Sequence, residues 1–368
     1  MPAGGASSPF LKHLGEATWC TGSDAIQRKQ QVVRSNIHPL TFEPVYRDYI
    51  WGGRNLATVF GRKLPPGIVA ESWEISAHPI APTRVDNGAW RGILLPRVLA
   101  EMGIDLVGTN SADMLARGRF PLLVKLLDAN RNLSVQVHPD DTYASLHQSD
   151  DLGKTEMWYV LHARPGSELI CGLGQGVTRE AFRAAIASNT LEALLHRVSI
   201  APGDSIFVPP GTVHALLAGV VVAEIQRTSD ATYRVYDWGR LDADGKPRPL
   251  HIERALEVIA FGQAAPGKVE PLIVERGDGL TRARLVDCQQ FTVERVDLGA
   301  GSQFEGECDG STFEIWGCIK GKCEIRWSGD PVSLEAIRFA LLPAVLGHYA
   351  VRAKEASSLL RAFVRKRG

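Results

Sequence analysis

The chain has 368 residues, of which 45% are hydrophobic and 22% are charged, and its mean hydropathy is −0.06. These values are typical of a globular protein and exclude a disordered or fibrous chain. The 41 Lys and Arg residues balance the 41 Asp and Glu residues. Nucleic acid and membrane surfaces are therefore not expected partners, because both select a basic surplus. The six cysteines include no CxxC pair and are expected to be free thiols. No secretory signal or membrane-spanning run is recognisable, so we expect a cytoplasmic protein.

After a leader, the chain is rich in strand patterns and poor in helix patterns. Residues 1–40 are expected to form a peripheral extension in which SDAIQRKQQVV makes a short helix. Helical periodicity is confined to three later segments, 93–103, 178–198 and 251–262. In the second of these, Thr178 and Thr190 are the expected N-caps. The remaining β-branched and aromatic runs, broken by Gly and Pro, predict a mainly β fold of the jelly-roll type.

Short segments of the two halves of the chain resemble each other. LSVQV (133–137) aligns with FTVER (291–295), and TEMW (155–158) aligns with FEIW (313–316), both at an offset of 158 residues. FVPPGTVH (207–214) aligns with LLPAVLGH (341–348) at an offset of 134, which fits an extra helical insert in the first copy. The repeated order predicts two related barrels, a first domain over 41–262 and a degenerate second barrel over 263–368.

Polar residues alternate along LSVQVHPDD. The alternation places Ser134, Gln136 and His138 on one face of a strand and the apolar residues on the other. Two interpretations are open for this strand alone: a solvated polar face, which is common, or a polar face that lines a pocket.

Two further strand ends contribute a carboxylate and a second imidazole. Glu156 leads the otherwise apolar strand EMWYVL, and His214 follows the rigid turn VPPGTV. Two imidazoles and a carboxylate are a common ligand set for Zn²⁺ or another divalent metal. We therefore predict a metal site formed by His138, Glu156 and His214, to which Gln136 can add a neutral oxygen. A lone histidine after a turn is more often a surface or core residue, so the prediction depends on the whole set.

Charged residues near this set are candidates for a substrate pocket. They are Lys125, Lys154, Glu224, Arg227, Arg234 and Arg240. Arginine is suited to bidentate recognition of phosphate or to stabilising an oxyanion, although three solvated surface arginines are an equally simple interpretation.

Seven motifs, in this order, resemble those of the type I phosphomannose isomerases, most closely the short bacterial form without a large helical insertion. They are IWGG (50–53), AESWEIS (70–76), FPLLVKLLDA (120–129), LSVQVHPDD (133–141), GKTEMWY (153–159), VPPGTVHAL (208–216) and SDATYRVYDWGR (229–240). The resemblance covers about residues 40 to 260 and is weak from 261 to 368.

The resemblance implies a double-cupin fold, mainly β, with one zinc ion per chain in the first barrel. The implied ligands are Gln136, His138, Glu156 and His214. The family interconverts mannose 6-phosphate and fructose 6-phosphate, and the expected partner is therefore a small hexose phosphate.

The resemblance also implies roles around the metal. Arg234 matches the catalytic arginine and is expected to stabilise the enediolate, while zinc positions the substrate oxygens. Ser134 and Lys154 are expected to line the pocket and hold the phosphate, and Lys154 is a further candidate for proton relay. Lys125 and Glu224 are expected to contact substrate. The base that moves the C1/C2 proton stays open between Glu224, Lys154 and a zinc-bound hydroxide.

The second half departs from this pattern. In the aligned repeat Gln136 becomes Glu294 and His138 becomes Val296, although Glu314 and His348 remain. With one imidazole fewer, this half is expected not to hold zinc tightly. We expect it to cover the first barrel or to mediate assembly, in a protein that is a monomer or a homodimer.

Two other classes of function are alternatives. A catalytically silent sugar-phosphate sensor on the same fold stays open, because one fold hosts many functions. A metal-dependent cupin dioxygenase is disfavoured, because metal cupins typically carry HxH on the first strand, where this chain has QVH.

Overall fold

The computed structural model describes residues 36–147, 151–241 and 245–366. The chain divides into two units, Met1–Asn36 and Ile37–Gly368, and all described helices and strands belong to the second. The predicted leader helix therefore lies outside the described residues, as do residues 1–35 of the predicted extension. Among the described helices, none is long and apolar enough to cross a membrane.

Strands dominate the described residues. The strands are β1 (Leu40–Glu43), β2 (Val45–Arg47), β3 (Glu71–Ile75), β4 (Arg84–Val85), β5 (Leu122–Ala129), β6 (Val135–Val137), β7 (Glu156–Ala163), β8 (Glu168–Leu173), β9 (Leu195–Ser199), β10 (Ser205–Val208), β11 (His214–Leu216), β12 (Val220–Arg227), β13 (Tyr233–Tyr236), β14 (Leu272–Gly277), β15 (Leu280–Asp287), β16 (Thr292–Leu298), β17 (Gln303–Cys308), β18 (Glu314–Lys320), β19 (Lys322–Arg326), β20 (Val332–Glu335), β21 (Arg338–Leu342), β22 (Gly347–Ala353) and β23 (Ser357–Phe363). The helices are α1 (Asn55–Thr58), α2 (Leu95–Met102), α3 (Ile104–Val107), α4 (Ala112–Ala116), α5 (Asp141–His147), α6 (Arg179–Ala187) and α7 (Ile252–Val258), with 3₁₀ turns at Thr109–Ser111 and Leu191–Leu194.

The three predicted helical segments are present, but the middle one is shorter than expected. Thr178 caps α6 by accepting a hydrogen bond from the Ala181 backbone N–H at 3.2 Å. The helix ends at Ala187, and Asn189 adopts a left-handed conformation with φ 56°, which stops the helix. The Thr190 side chain makes no capping bond, and residues 195–199 form β9 instead of helix because they pair with β8. The helical pattern over 188–198 was therefore overridden by sheet pairing.

The first half of the second unit is a sandwich of two sheets. One sheet has the strand order β10-β7-β12-β5-β3-β2, and the other has β13-β6-β11-β8-β9. The inward side chains form an apolar cluster that includes Trp158, Val160, Leu216 and Val222. Because side chains alternate along each strand, this same inner face also carries the polar residues at the strand ends. The candidate site therefore lies inside the sandwich, next to its apolar core.

The outer face of β6, β11 and β13 packs against α6 and α7. Val135, Val137, Ala215 and Tyr233 share a buried cluster with residues of these helices. This packing explains the alternation in LSVQVHPDD: the valines face the helices, and the intervening polar residues face inward.

The second half repeats this plan with an eight-stranded and a four-stranded sheet. Their strand orders are β14-β15-β16-β23-β18-β21-β1-β4 and β17-β22-β19-β20. Strand β1 of the first predicted domain pairs with β21, so the N-terminal strand completes a sheet of the second half. The domain limits 41–262 and 263–368 stay a prediction.

Strand order corrects one part of the predicted repeat. The order β10-β7-β12-β5-β3 corresponds to β21-β18-β23-β16-β15, which agrees with the alignment of TEMW with FEIW. The alignment of LSVQV with FTVER is wrong, because FTVER lies in β16, whose counterpart is β5, whereas LSVQV lies in the opposite sheet, where β17 takes its place. The assignments of Gln136 to Glu294 and of His138 to Val296 fail with it. Both segments alternate in the same way, so periodicity alone did not distinguish the two sheets.

In the second half, the buried carboxylate of Glu314 is bound by an arginine, a tryptophan and a tyrosine instead of by imidazoles. Glu314 accepts hydrogen bonds from Arg361 Nε at 2.7 Å and Trp316 Nε1 at 2.9 Å, and also from the Tyr349 hydroxyl. The His348 side chain is 86% exposed and faces Glu307, on the outside of the sandwich. A guanidinium thus neutralises the carboxylate at the place that corresponds to Glu156.

Arg361 is expected to be a major contributor to the stability of this half. Replacing it with Met leaves Glu314 buried without its cation and leaves Glu294 with Arg282 as its remaining cation. The loss of a buried partner typically costs about 3–5 kcal/mol of unfolding free energy. Denaturant unfolding measures this loss. Arg326→Met is the control, because that side chain is 42% exposed and its pairing with Glu324 is worth about 1 kcal/mol or less. Equal effects of the two substitutions would contradict the assignment.

Candidate metal centre and active site

Three buried side chains converge inside the first sandwich. His138 follows β6, Glu156 begins β7, and His214 begins β11 directly after the Pro209–Thr212 turn. One potential ligand atom from each lies within 4.8 Å of the others, and all three residues are at most 1% exposed. Among the described residues, this is the group of histidine, cysteine and carboxylate side chains that is arranged to hold a metal ion.

The hydrogen bonds of the two histidines fix which nitrogen faces the centre. His138 Nδ1 lies 2.8 Å from the Ala231 carbonyl oxygen, and His214 Nδ1 lies 2.8 Å from the Thr212 carbonyl oxygen. A carbonyl only accepts, so each Nδ1 carries the proton and each Nε2 presents a lone pair. Burial, and then the nearby Lys154 ammonium, lowers the pKa of His138 to about 3, so this imidazole is neutral. Burial also lowers the pKa of His214.

These lone pairs point at the oxygens of Glu156. His138 Nε2 is 3.4 Å from Glu156 Oε2, and His214 Nε2 is 3.3 Å from Oε1, with no proton to form a hydrogen bond in either case. Burial alone would raise the pKa of Glu156, but the Lys154 ammonium holds it well below its usual value. Two neutral imidazoles and one carboxylate, with one potential ligand atom of each within 4.8 Å of the others, are a donor set for a divalent metal, so the residues present fit zinc.

Gln136 and Ser134 extend the centre toward the open end of the sandwich. Gln136 Nε2 is 3.2 Å from His214 Nε2, and Gln136 Oε1 is 3.5 Å from Ser134 Oγ. A half-turn of the amide would present its oxygen to the centre in place of the nitrogen. Gln136 therefore lies within reach of the three converging side chains.

Lys154 lies beside the metal ligands. Its Nζ is 2.9 Å from Glu156 Oε2 and 3.3 Å from His138 Nε2. Burial alone would lower its pKa, but the Glu156 and Glu224 carboxylates raise it above the ordinary value. Lys154 is therefore an ammonium at neutral pH and cannot accept a proton.

Glu224 is a buried carboxyl group of a different kind. Trp158 Nε1 donates to its Oε2 at 2.9 Å, and Lys125 Nζ lies 3.8 Å from its Oε1. Burial and the neighbouring charge of Glu156 raise the pKa of Glu224 to about 7. A carboxyl group with this pKa can exchange a proton near neutral pH.

Sequence reasoning missed two residues of this pocket wall. Glu71 Oε2 lies 3.7 Å from Lys125 Nζ and accepts a hydrogen bond from Trp73 Nε1 at 2.6 Å. The Lys125 ammonium also lies 4.3 Å from the centroid of the Trp73 ring. The signal was present in AESWEIS, since Glu71 and Trp73 share a face by alternation, but the pairing of β3 with β5 had to be known to use it.

Of the three candidate arginines, Arg234 lies directly across the sheet from Gln136. It pairs with Gln136 across β13 and β6, so the two side chains share a face. Arg227 is instead bound to Asp141, and Arg240 is bound to Asp237. The structure therefore does not bring Arg227 into the pocket.

Comparison with known proteins points to one family. The model of the phosphomannose isomerase type I catalytic domain matches residues 40–159. A protein named probable mannose-6-phosphate isomerase GmuF, from Bacillus subtilis, is 38% identical over 314 residues, which are 85% of this chain and 96% of that protein. Mannose-6-phosphate isomerase ManA of the same organism is 39% identical over 73% of this chain and 82% of its own length.

A solved structure gives the same result for the fold. The crystal structure of the mannose 6-phosphate isomerase from Bacillus subtilis has a TM-score of 0.79 at 34% identity, covering 88% of this chain and 99% of that one. The predicted double-cupin fold, mainly β with few helices, is thereby confirmed. The chain belongs to the type I phosphomannose isomerase family, and it is an enzyme of the isomerase class.

Proposed function

We propose that this protein is a zinc-dependent enzyme that interconverts mannose 6-phosphate and fructose 6-phosphate through an enediolate. The observation that carries the proposal is the convergence of two neutral imidazoles and a carboxylate, with Arg234 opposite Gln136 on the same face. The names of the relatives ManA and GmuF support the substrate.

The proposed metal ligands are Gln136, His138, Glu156 and His214, for one ion per chain. When bound, the metal supplies Lewis-acid stabilisation to the substrate oxygens. The equivalent carboxylate of the second half, Glu314, is already neutralised by Arg361, which supports a single metal site in the chain.

Glu224 is the proposed base. The C2 hydrogen of the aldose is acidic because it lies next to the carbonyl, and a carboxylate with a pKa of about 7 is suited to remove it. The C–H electron pair then forms the C1–C2 double bond while the carbonyl oxygen becomes anionic. Transfer of the O2 proton to O1 and return of a proton to C1 complete the ketose.

The cations of the pocket are proposed to hold the negative charges of substrate and intermediate. Arg234 stabilises the enediolate oxygens, and Lys154, which stays protonated, binds the phosphate. Ser134 and Lys125 are proposed to contact the substrate as well, with Lys125 held in place by Glu71 and Glu224.

Replacement of Arg234 by Ala separates this enzyme from a silent sensor on the same fold. We expect wild-type protein to form fructose 6-phosphate, and the variant to lose roughly a hundredfold to a thousandfold in kcat, the usual effect of removing one oxyanion-stabilising donor. Zinc content, measured on the same samples, is expected to stay at one per chain because Arg234 is not a ligand. Zinc-loaded wild-type protein without turnover on mannose 6-phosphate would contradict the proposed function and favour the sensor.

A further inference from the structure

The turn that follows β13 has an unusual backbone. Trp238 adopts a left-handed conformation with φ 59°, and Gly239 follows it at φ 65°. A large side chain in this region is strained and persists only where surrounding contacts determine it. The strained residue lies four positions after Arg234.

Asp237 is the centre of the contacts that hold this turn. Its carboxylate is 6% exposed and accepts hydrogen bonds from Arg248 Nε at 2.8 Å, from Arg248 Nη2 and from Arg240 Nη2. Burial alone would raise the pKa of Asp237, but the bonds from Arg248 and Arg240 lower it, so it is ionised.

The turn is also bonded to the loop that leads into β6. Trp238 Nε1 donates to the Leu133 carbonyl oxygen at 2.6 Å, and Arg240 Nη1 donates to the Asn132 carbonyl oxygen. These two carbonyls immediately precede Ser134, from which the polar face of β6 begins. The carboxylate of Asp237 therefore reaches this loop through Arg240.

Arg234 lies between these contacts and the segment before α7. Its backbone N–H donates to His251 Nδ1 at 3.2 Å, and its Nη1 donates to the Pro249 carbonyl oxygen at 3.0 Å. Its Nε is buried and has no hydrogen-bond partner. Arg248, held by Asp237, is next to Pro249, so the same carboxylate also fixes the carbonyl that orients the guanidinium.

We propose that Asp237 is a positioning residue that acts through Arg234: by holding Arg240 and Arg248 it locks the strained turn onto the Asn132–Leu133 loop and fixes the guanidinium opposite Gln136. The expected effect on kcat rests on the proposed function, whereas the expected effect on the turn does not. It adds to that function a residue that touches neither the metal ligands nor the substrate pocket directly.

The kinetic test is a double-mutant cycle between Asp237→Asn and Arg234→Ala. Asp237→Asn is expected to lower kcat by about tenfold to a hundredfold, since small misplacements of a catalytic group have effects of this size. It should leave zinc content at one per chain. In the Arg234→Ala background the same substitution should cost less than about threefold, because residues that act as a unit are not additive. Full additivity, or a loss of kcat that follows a loss of zinc, would overturn the proposal.

A second measurement does not depend on activity. Hydrogen–deuterium exchange of peptides that cover Asn132–Ser134 is expected to be faster in Asp237→Asn than in wild type. Asp86→Asn is the control, because Asp86 is also paired with an arginine, Arg338 at 2.9 Å, but next to β4 at the edge of the eight-stranded sheet. Unchanged exchange at Asn132–Ser134, or an equal increase in the control, would overturn the proposal that Asp237 holds the turn on this loop. Wild-type protein without turnover would contradict the proposed function. The exchange result would still show whether Asp237 holds the turn on the Asn132–Leu133 loop.

Discussion

Glu156→Gln is expected to abolish both metal binding and turnover. Glu156 provides the single negative charge among the proposed ligands, and its two oxygens face the Nε2 atoms of His138 and His214. A neutral amide removes that charge and turns one oxygen into an N–H₂ donor. We expect kcat/KM to fall by roughly a thousandfold or more, because the metal's stabilisation of charge is lost with the metal. Zinc analysis of dialysed protein and initial rates on mannose 6-phosphate measure the two effects.

The second half of the chain provides a matched control for this substitution. Glu314 occupies the corresponding strand position in β18 and is equally buried, but Arg361, Trp316 and Tyr349 bind it. Glu314→Gln is expected to lower stability while leaving zinc content and kcat unchanged. Retention of zinc by Glu156→Gln, or loss of zinc by Glu314→Gln, would show that the metal site is assigned to the wrong half.

Glu224→Gln is expected to lower kcat by about a hundredfold to ten-thousandfold, the range that general base catalysis contributes. The wild-type enzyme should also show an acid limb. The pKa of Glu224 is raised to about 7, so the group is protonated below that pH and cannot accept the substrate proton. The value of kcat/KM should therefore fall about tenfold per pH unit below pH 7 and level off above it.

The acid limb should be absent from Glu224→Gln, because a glutamine does not titrate. Glu74→Gln is the control: this carboxylate is 4% exposed but is bound to Arg62 and lies outside the pocket. It should keep both kcat and the acid limb. If kcat/KM of Glu224→Gln still falls below pH 7 as in wild type, the base is a group other than Glu224.

The sequence was sufficient to predict the fold class and to select the converging residues. The two histidines and the carboxylate stand at strand ends next to rigid turns, and alternation shows which side chains share an inner face. The three-dimensional convergence of His138, Glu156 and His214 follows from these local patterns once the strands form one sandwich.

Other features depend on contacts between distant segments and were not predictable in the same way. The alignment of LSVQV with FTVER failed because strands of opposite sheets share one period, and only pairing partners distinguish β5 from β6. The helix predicted over 178–198 ends at Ala187, next to the left-handed Asn189, and residues 195–199 pair with β8 instead of continuing it. The contacts around Asp237 include hydrogen bonds from Trp238 and Arg240 to backbone carbonyl groups about a hundred residues away. Backbone carbonyls are present at every residue, so the sequence gives no signal for these bonds.

The central claim is tested most directly by fructose 6-phosphate formation from mannose 6-phosphate, measured on purified protein before chelation, after chelation and after zinc is added back. The account predicts activity that is lost on chelation and restored as zinc approaches one equivalent per chain. Full activity in metal-free protein, or no activity in zinc-replete protein, would contradict it.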